Sequence, residues 1–103
     1  MKKYKLEILT PAWKEINEIA NYHLYSVGVA SSRKITTSIL NALERLESFP
    51  FSCAYAPDQA LKIQGYRMLV CGKYICIYRV IGEIVYIYHI APGATDYPKL
   101  FNK

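Results

Sequence analysis

The sequence predicts an α+β domain in which an antiparallel helical hairpin packs on a mainly antiparallel sheet. Its first segment alternates between apolar and polar residues, as a half-buried strand does. Two later segments repeat apolar residues every three or four positions, as amphipathic helices do. The last third holds three runs of β-branched and aromatic residues separated by short turns with glycine. The 103 residues are too few for two hydrophobic cores, so a single domain is expected over residues 1–103.

The N-terminal half begins with one strand and one helix. Residues 4–9 alternate with period two and predict the strand. Thr10 and Pro11 are expected to begin the helix, because threonine caps free amides and proline suits a first turn. The apolar stripe of this helix covers residues 13–24, and Gly28 is expected to end it.

A second helix is expected to begin at a serine cap, Ser31 or Ser32, and to continue to Phe49, where Pro50 stops it. Because few residues separate the two helices, they are expected to form an antiparallel hairpin. Residues 51–61 show no period and contain turn-forming residues, which predicts a loop.

Three strands complete the predicted fold, at residues 65–71, 74–80 and 84–90. The connections at Gly72 and at Gly82 are short enough for hairpins, so the strands should form an antiparallel meander. One face of this meander is expected to pack on the helical hairpin. The other face is rich in tyrosine, isoleucine and arginine and is the candidate working surface.

The composition favours a protein that binds a partner. Apolar residues make up 52% of the chain, charged residues only 20%, and ten residues are tyrosine. A partner or a second copy of the chain is therefore expected to cover part of this apolar surface. Tyrosine suits such a contact, because its ring can be buried while its hydroxyl stays hydrated. The net charge of +5 suits RNA, DNA or an acidic peptide as the partner, with a domain that simply carries excess lysine as the alternative.

Several classes of site and location are not expected. Cys53, Cys71 and Cys76 lack metal-binding spacing, and Cys71 and Cys76 suit small apolar strand positions in a reducing cytoplasm. The sequence shows no nucleotide-binding glycine loop, and neither a metal nor another cofactor is expected. No apolar stretch reaches the ~18 residues of a membrane span, and no signal-type segment precedes the domain, so a cytoplasmic location is expected.

Two motifs give the sequence a family resemblance. The first is Gly-x-Arg-x-Leu-x-x-Gly-x-Tyr, which runs from Gly65 to Tyr74 with Arg67 at its third position, and the second is Asp-Tyr-Pro-Lys-Leu-Phe from Asp96 to Phe101. With the order of predicted elements, they resemble the RelE/ParE superfamily of toxins from bacterial type II toxin–antitoxin modules, and the ParE branch most. The resemblance covers nearly the whole chain. It implies a growth inhibitor, of the kind associated with plasmid stabilization, that is neutralised by a cognate antitoxin encoded beside it.

The resemblance also bears on the cellular target. Ribonuclease members cut messenger RNA in the ribosomal A site and carry arginines where this chain has Ile75 and Ala94. Neither residue can stabilise charge that develops on a scissile phosphate. ParE members poison DNA gyrase and commonly have an apolar residue at the position of Ile75. Gyrase poisoning is therefore the expected function, and a ribosome-dependent endoribonuclease or a degenerate toxin is the alternative.

The two motifs and the strands beside them suggest which residues bind a partner or take part in catalysis. The residues expected to bind the target or the antitoxin are Arg67, Lys73, Arg79, Tyr78 and Tyr97. Arginine is frequent at interface hot spots, although either arginine could instead serve a neighbour in the fold. If the chain were a ribonuclease, its candidate catalytic residues would be Arg67, Arg79, Tyr97 and His89, with structural roles as the alternative for the last two.

A plain RNA-binding module is the competing class of function. Tyrosine and arginine interleave on the predicted strands, and such a surface could stack bases and bind phosphates. Binding to free RNA would then weaken with salt. A toxin, in contrast, is expected to self-associate when its antitoxin is missing.

Overall fold

The computed structural model describes residues 3–101. Its elements, in chain order, are strand β1 (Lys5–Ile8), helix α1 (Thr10–Ser26), helix α2 (Val29–Glu44), a 3-10 turn (Arg45–Glu47), helix α3 (Gln59–Ile63), strands β2 (Arg67–Cys71), β3 (Tyr74–Ile81) and β4 (Ile84–Pro92), and a C-terminal 3-10 helix (Tyr97–Phe101). This order confirms the predicted α+β fold class.

The four strands form one sheet in the order β1–β4–β3–β2. β2, β3 and β4 pair antiparallel, which confirms the predicted meander, and β1 pairs parallel to β4 as far as Ile87. Gly72 has φ +59°, the left-handed conformation that a two-residue hairpin turn requires. The register between β3 and β4 shifts at Ile77 and Tyr78, which leaves Tyr88 as an extra residue in β4. Such a bulge changes the direction of neighbouring side chains.

Helices α1 and α2 cover one face of the sheet and form the main core with it. The buried residues of this core are Ala12, Ile16, Ile19, Ile39, Leu43, Leu46, Cys76, Tyr78, Val85, Ile87 and Ile90. The predicted helical hairpin is therefore confirmed in its packing. α2 begins earlier than expected, at Val29, because Val27 and Gly28, the latter with φ +147°, complete the connection between the helices.

The two serines expected to cap α2 lie inside it and join the helices instead. Ser32 Oγ donates to the carbonyl oxygen of Ala20 at 2.8 Å, and Ser31 Oγ lies 3.1 Å from His23 Nδ1. The cap predicted at Thr10 is also absent from α1, where Leu9 holds the N-cap position without a side-chain bond.

The other face of the sheet is partly covered by the chain itself. A second core is formed by Ala56, Leu61, Tyr66, Ile75 and Ile77, with Met68, Tyr88, Tyr97 and Phe101 packed against it. The chain's own residues therefore cover part of the face that is the candidate working surface, and its contact with a partner stays a prediction. Its apolar side chains are covered because burial stabilises them by roughly 25 cal/mol per Å².

The segment predicted as a loop contains short structured pieces. α3 starts at Gln59, and its preceding residue Asp58 accepts a hydrogen bond from the Leu61 amide at 3.1 Å, as an N-cap does. Tyr55 forms an isolated bridge with Arg67 of β2. Five helical residues are too few for a detectable apolar period, and the bridge depends on a partner twelve residues away.

Candidate functional site

Arg79 contacts two aromatic rings beside the second core. Its guanidinium carbon lies 4.6 Å from the ring centroid of Tyr66 and 5.3 Å from that of Tyr88. Nε and Nη2 donate to the Tyr88 hydroxyl at 3.2 and 2.8 Å, and Nη1 donates to the Gln64 carbonyl at 3.4 Å. These bonds use only part of the five N–H donors of a guanidinium. Arg79 is therefore fixed in place and retains donors for a carboxylate or a phosphate.

Arg67 contacts the segment that follows α2. Its Nη1 donates to the carbonyl oxygens of Cys53 at 2.6 Å and Phe51 at 3.5 Å. Its guanidinium carbon lies 4.2 Å from the ring centroid of Tyr55 and 5.2 Å from that of Phe51. These contacts support the alternative in which Arg67 has a structural role within the fold. Its direct contact with a partner stays a prediction.

Tyr78 and Ile75 are both buried. Tyr78 is 0% exposed, and its hydroxyl donates to the Pro50 carbonyl oxygen at 2.9 Å. Burial raises the pKa of the Tyr78 phenol. The expectation that Tyr78 contacts the target or the antitoxin is wrong for this fold, since a side chain without exposed surface cannot touch a partner. Ile75 is 7% exposed and belongs to the second core.

His89 is buried and paired with Glu15 of α1. Its Nδ1 lies 3.2 and 3.0 Å from the two carboxylate oxygens of Glu15, and the Ile90 amide donates to that carboxylate at 2.9 Å. The ring of Phe101 packs edge-on against the imidazole, with 4.8 Å between the centroids. These contacts join α1, β4 and the C-terminal 3-10 helix, which supports the structural alternative for His89.

Tyr97, Lys73 and Ala94 lie on segments that connect or follow the strands. The Tyr97 hydroxyl accepts a hydrogen bond from the Asp58 amide at 2.7 Å. Lys73 and Ala94 are exposed, and the Lys73 carbonyl accepts from the Gly93 amide at 2.8 Å. This bond holds the β2–β3 turn against the segment after β4.

Of the four residues considered for catalysis, Arg67 lies apart from the other three, so the four do not form one site. Phe101 contacts His89, and the aromatic cluster around it also includes Tyr97 and the tyrosines that hold Arg79. Arg67 instead contacts the segment 51–55. Within residues 3–101, no arginine donates a hydrogen bond to a histidine or a carboxylate.

Sequence reasoning missed a groove bounded by α1, α2, the β2–β3 turn and the end of β4. Its volume is about 1130 Å³, and its lining is mostly apolar. The lining includes Ile19, Tyr22, Ile35, Tyr74, Ile90 and Leu100, with Glu15, Glu18, Lys34 and Lys73 as charged members. The spacing of Ile19, Tyr22 and His23 on one side of α1 was the available signal. That signal could not show that these residues stay open to a partner.

His23 fixes one wall of this groove. Its Nδ1 lies 3.1 Å from Ser31 Oγ and its Nε2 lies 3.0 Å from the Tyr74 hydroxyl. Burial, and then the neighbouring Tyr22, raise the pKa of the Tyr74 phenol, which therefore stays protonated at neutral pH. The network connects both long helices to β3, so the groove wall is rigid before a partner binds.

The described part of the chain was searched for metal-ligand groups and for helices that could span a membrane. Within it, no group of three or more His, Cys, Asp or Glu side chains is placed to hold a metal ion. None of the helices between residues 3 and 101 has the length and hydropathy of a transmembrane span.

Comparisons with known proteins agree with the architecture. A family model, described as the ParE toxin of the type II toxin–antitoxin system parDE, matches residues 6–97. A chain of the chromosomal ParDE toxin–antitoxin system from P. aeruginosa has a similar structure, with a TM-score of 0.75 and 18% identity over 87% of this chain and 96% of that one. A chain of the RelBE2 toxin–antitoxin complex from Mycobacterium tuberculosis has a TM-score of 0.67 and 15% identity over 92% of this chain and 97% of that one. No curated protein matches the sequence significantly.

Proposed function

The chain belongs to the ParE toxin family of type II toxin–antitoxin systems, and from this premise we propose that it arrests growth by binding and poisoning DNA gyrase. In this proposal the chain acts as a binding protein, and a cognate antitoxin holds it inactive. Gyrase acts on DNA in the bacterial cytoplasm, so the proposal also places the chain there.

The environment of Ile75 is the observation that carries this proposal. Ribonuclease members of the superfamily carry an arginine at this position, which must reach a phosphate. Ile75 is instead 7% exposed in an apolar cluster beneath the C-terminal 3-10 helix. Ala94, at the second arginine position, is exposed and uncharged. Loss of one preorganised donor typically lowers a catalytic rate ~10²–10³-fold, so loss of two argues for a function without phosphodiester cleavage.

Arg79 is the residue that we propose contacts the target. Two aromatic rings and a tyrosine hydroxyl already hold its guanidinium group. An arginine fixed in this way loses little side-chain entropy when a partner carboxylate binds. Arginine and tyrosine are also the residue types enriched at interface hot spots.

The ribosome-dependent endoribonuclease remains the second candidate. It is favoured by the placement of His89 and Tyr97 in the same aromatic cluster as the tyrosines that hold Arg79. A histidine and a tyrosine could move protons near a cation there. His89 would first have to leave its pairing with Glu15.

Pulse labelling just after tight induction separates the two candidates. If the chain poisons gyrase, thymidine incorporation falls first and methionine incorporation follows later. Purified chain should then also increase the DNA cleaved by gyrase in vitro. An early fall in methionine incorporation would contradict the gyrase proposal and support attack on the ribosome.

Variants of Arg79 test its proposed role in the same assay. Arg79→Ala should delay or abolish the fall in thymidine incorporation, whereas Arg45→Ala, an exposed arginine at the end of α2, should not. Circular dichroism and thermal melting check that both variants fold. Full activity of a folded Arg79→Ala variant would show that the target is bound elsewhere.

A further inference from the structure

The bulge in β4 determines where the Tyr88 side chain points. The pairing of β4 with β3 passes from Ile87 directly to His89, so Tyr88 has no partner of its own on β3. In a regular strand, successive side chains point to opposite faces of the sheet. Here the rings of Tyr88 and His89, although consecutive, both contact Phe101 beside the second core. The extra residue therefore turns the Tyr88 side chain toward the face that carries the second core.

On that face the Tyr88 hydroxyl accepts two hydrogen bonds from Arg79 of β3. Nε donates at 3.2 Å and Nη2 at 2.8 Å, and Nη1 donates to the Gln64 carbonyl at 3.4 Å. A guanidinium carries five N–H groups, so these bonds leave one free N–H on each terminal nitrogen. Because two nitrogens donate to one oxygen atom, the plane of the guanidinium is fixed, and so are the directions of its two free N–H groups.

The surroundings of Arg79 indicate which chemical group the free N–H pair binds. Arg79 is partly exposed, and within residues 3–101 it is in no ion pair. The rings that contact it are uncharged, and the nearby chain positions Ile63 and Ile81 are 75% and 48% exposed. A nucleic-acid backbone is usually bound by several cations. One arginine among aromatic and apolar groups is instead typical of a protein interface, where a carboxylate matches two adjacent N–H donors.

We propose that Tyr88 is a positioning residue of the gyrase-binding site, and that it orients Arg79 so that the two free N–H groups bind one carboxylate of an acidic side chain on gyrase. The bulge makes this arrangement possible, because it places the Tyr88 hydroxyl beside Arg79. The inference rests on the proposed function, since it takes gyrase as the partner. It adds the residue that orients Arg79 and the chemical class of the group that Arg79 binds.

Binding of the purified full-length chain to immobilised gyrase tests the inference. Arg79→Ala is expected to raise the Kd about thirtyfold. Arg79→Lys should raise it about tenfold or more, because an ammonium group keeps the charge but cannot form two parallel bonds. Tyr88→Phe keeps the ring and removes the acceptor, and should raise the Kd about tenfold. The control Tyr25→Phe, which removes an exposed hydroxyl on α1, should not change it.

A double-mutant cycle separates positioning from a purely structural role. If Tyr88 acts through Arg79, Tyr88→Phe weakens binding in the wild-type chain but has no effect in an Arg79→Ala background. An equal loss in both backgrounds would show that Tyr88 acts independently of Arg79 and would overturn the inference. A wild-type Kd for the Tyr88→Phe variant would overturn it as well. Circular dichroism and thermal melting check that every variant is folded.

The chemical class of the bound group is tested with gyrase alone and with gyrase that holds DNA. If Arg79 binds a carboxylate of the protein, Arg79→Ala weakens both interactions by the same factor. A loss that appears only with DNA, or wild-type binding that requires DNA, would indicate a phosphate and overturn the inference. If the wild-type chain binds gyrase in neither form, the proposed function fails and the inference fails with it. If the wild-type chain binds and Tyr88→Phe binds equally well, only the inference fails.

Discussion

Arginine and aromatic side chains are paired inside this molecule before any partner binds. Tyr66 and Tyr88 hold Arg79, and Tyr55 and Phe51 hold Arg67. The sequence could single out these arginines, because arginine is frequent at interface hot spots. It could not predict which aromatic rings each arginine contacts, because these rings are brought together only by strand pairing and by the segment after α2.

Glu15 shows the same dependence on distant residues. The sequence places it on the helix beside the apolar stripe, where a glutamate suggests a solvated position. Its carboxylate instead accepts from the Ile90 amide and contacts the buried His89, so it closes a gap in the edge of β4.

Glu15→Ala is therefore expected to lower the stability of the fold. The change leaves the Ile90 amide and His89 without their partner, and hydrogen bonds to a charged group contribute about 2 kcal/mol. For a domain of this size, that loss lowers the Tm by about 10 °C. Glu18→Ala, an exposed glutamate one turn later, should change the Tm little. Equal melting temperatures for the two variants would show that the Glu15 contacts do not stabilise the fold.

At the scale of elements, the short pieces decide how the sheet is covered. α3 and the C-terminal 3-10 helix are each five residues long, yet they close the face of the sheet that the long helices leave open. Neither could form in isolation, since isolated helices shorter than ~12–15 residues are marginal in water. They persist because Leu61 and Phe101 pack on the sheet and because Tyr97 joins them by a hydrogen bond to the Asp58 amide.

Tyr97→Phe is expected to loosen this connection without unfolding the domain. The substitution keeps the ring and removes the hydroxyl that accepts the Asp58 amide proton at 2.7 Å. The loss of one such bond, about 1 kcal/mol, should speed hydrogen exchange of the Asp58 amide several-fold. Tyr25→Phe, whose ring is 84% exposed, is the control and should not change it. If protection at Asp58 is the same in both variants, the hydroxyl does not hold the two segments together.

The whole molecule combines a buried apolar core with two surfaces of different character. The groove beside α1 is open and apolar with charged sides, and the surface around Arg79 is aromatic and cationic. Arg79 and the two tyrosines that it contacts do not line the groove, so one partner could hold the groove while the other surface is contacted separately. This arrangement suits a toxin that must recognise an antitoxin and a target.

The stability of the whole fold is expected to fall in alkaline solution. Burial raises the pKa of the Cys76 thiol and of the Tyr78 phenol above their ordinary values. Above about pH 8.5 for cysteine and about pH 10 for tyrosine, the unfolded chain loses these protons while the folded chain keeps them. Because the folded state then binds more protons, the free energy of unfolding decreases as the pH rises, and it is unaffected by these groups at neutral pH.

Thermal melting across this range checks the expectation. The Tm of the wild-type chain should fall as the pH rises from about 8 to about 11. Tyr78→Phe should be less stable at neutral pH, because the Pro50 carbonyl loses its donor, but should show a shallower decline at high pH. A Tm that does not change with pH would contradict the roles assigned to both buried groups.

The sequence by itself determined the order of the two long helices and the four strands, the antiparallel meander and the family, because periodicity, turn glycines and the two motifs are local properties of the chain. Only the tertiary structure decided that Tyr78 is buried, that Glu15 closes the edge of β4, and that α3 and the C-terminal segment cover the second face. It also decided where the groove lies. These features join residues far apart in the chain, and their energies come from burial and hydrogen bonds that exist only once the elements have packed.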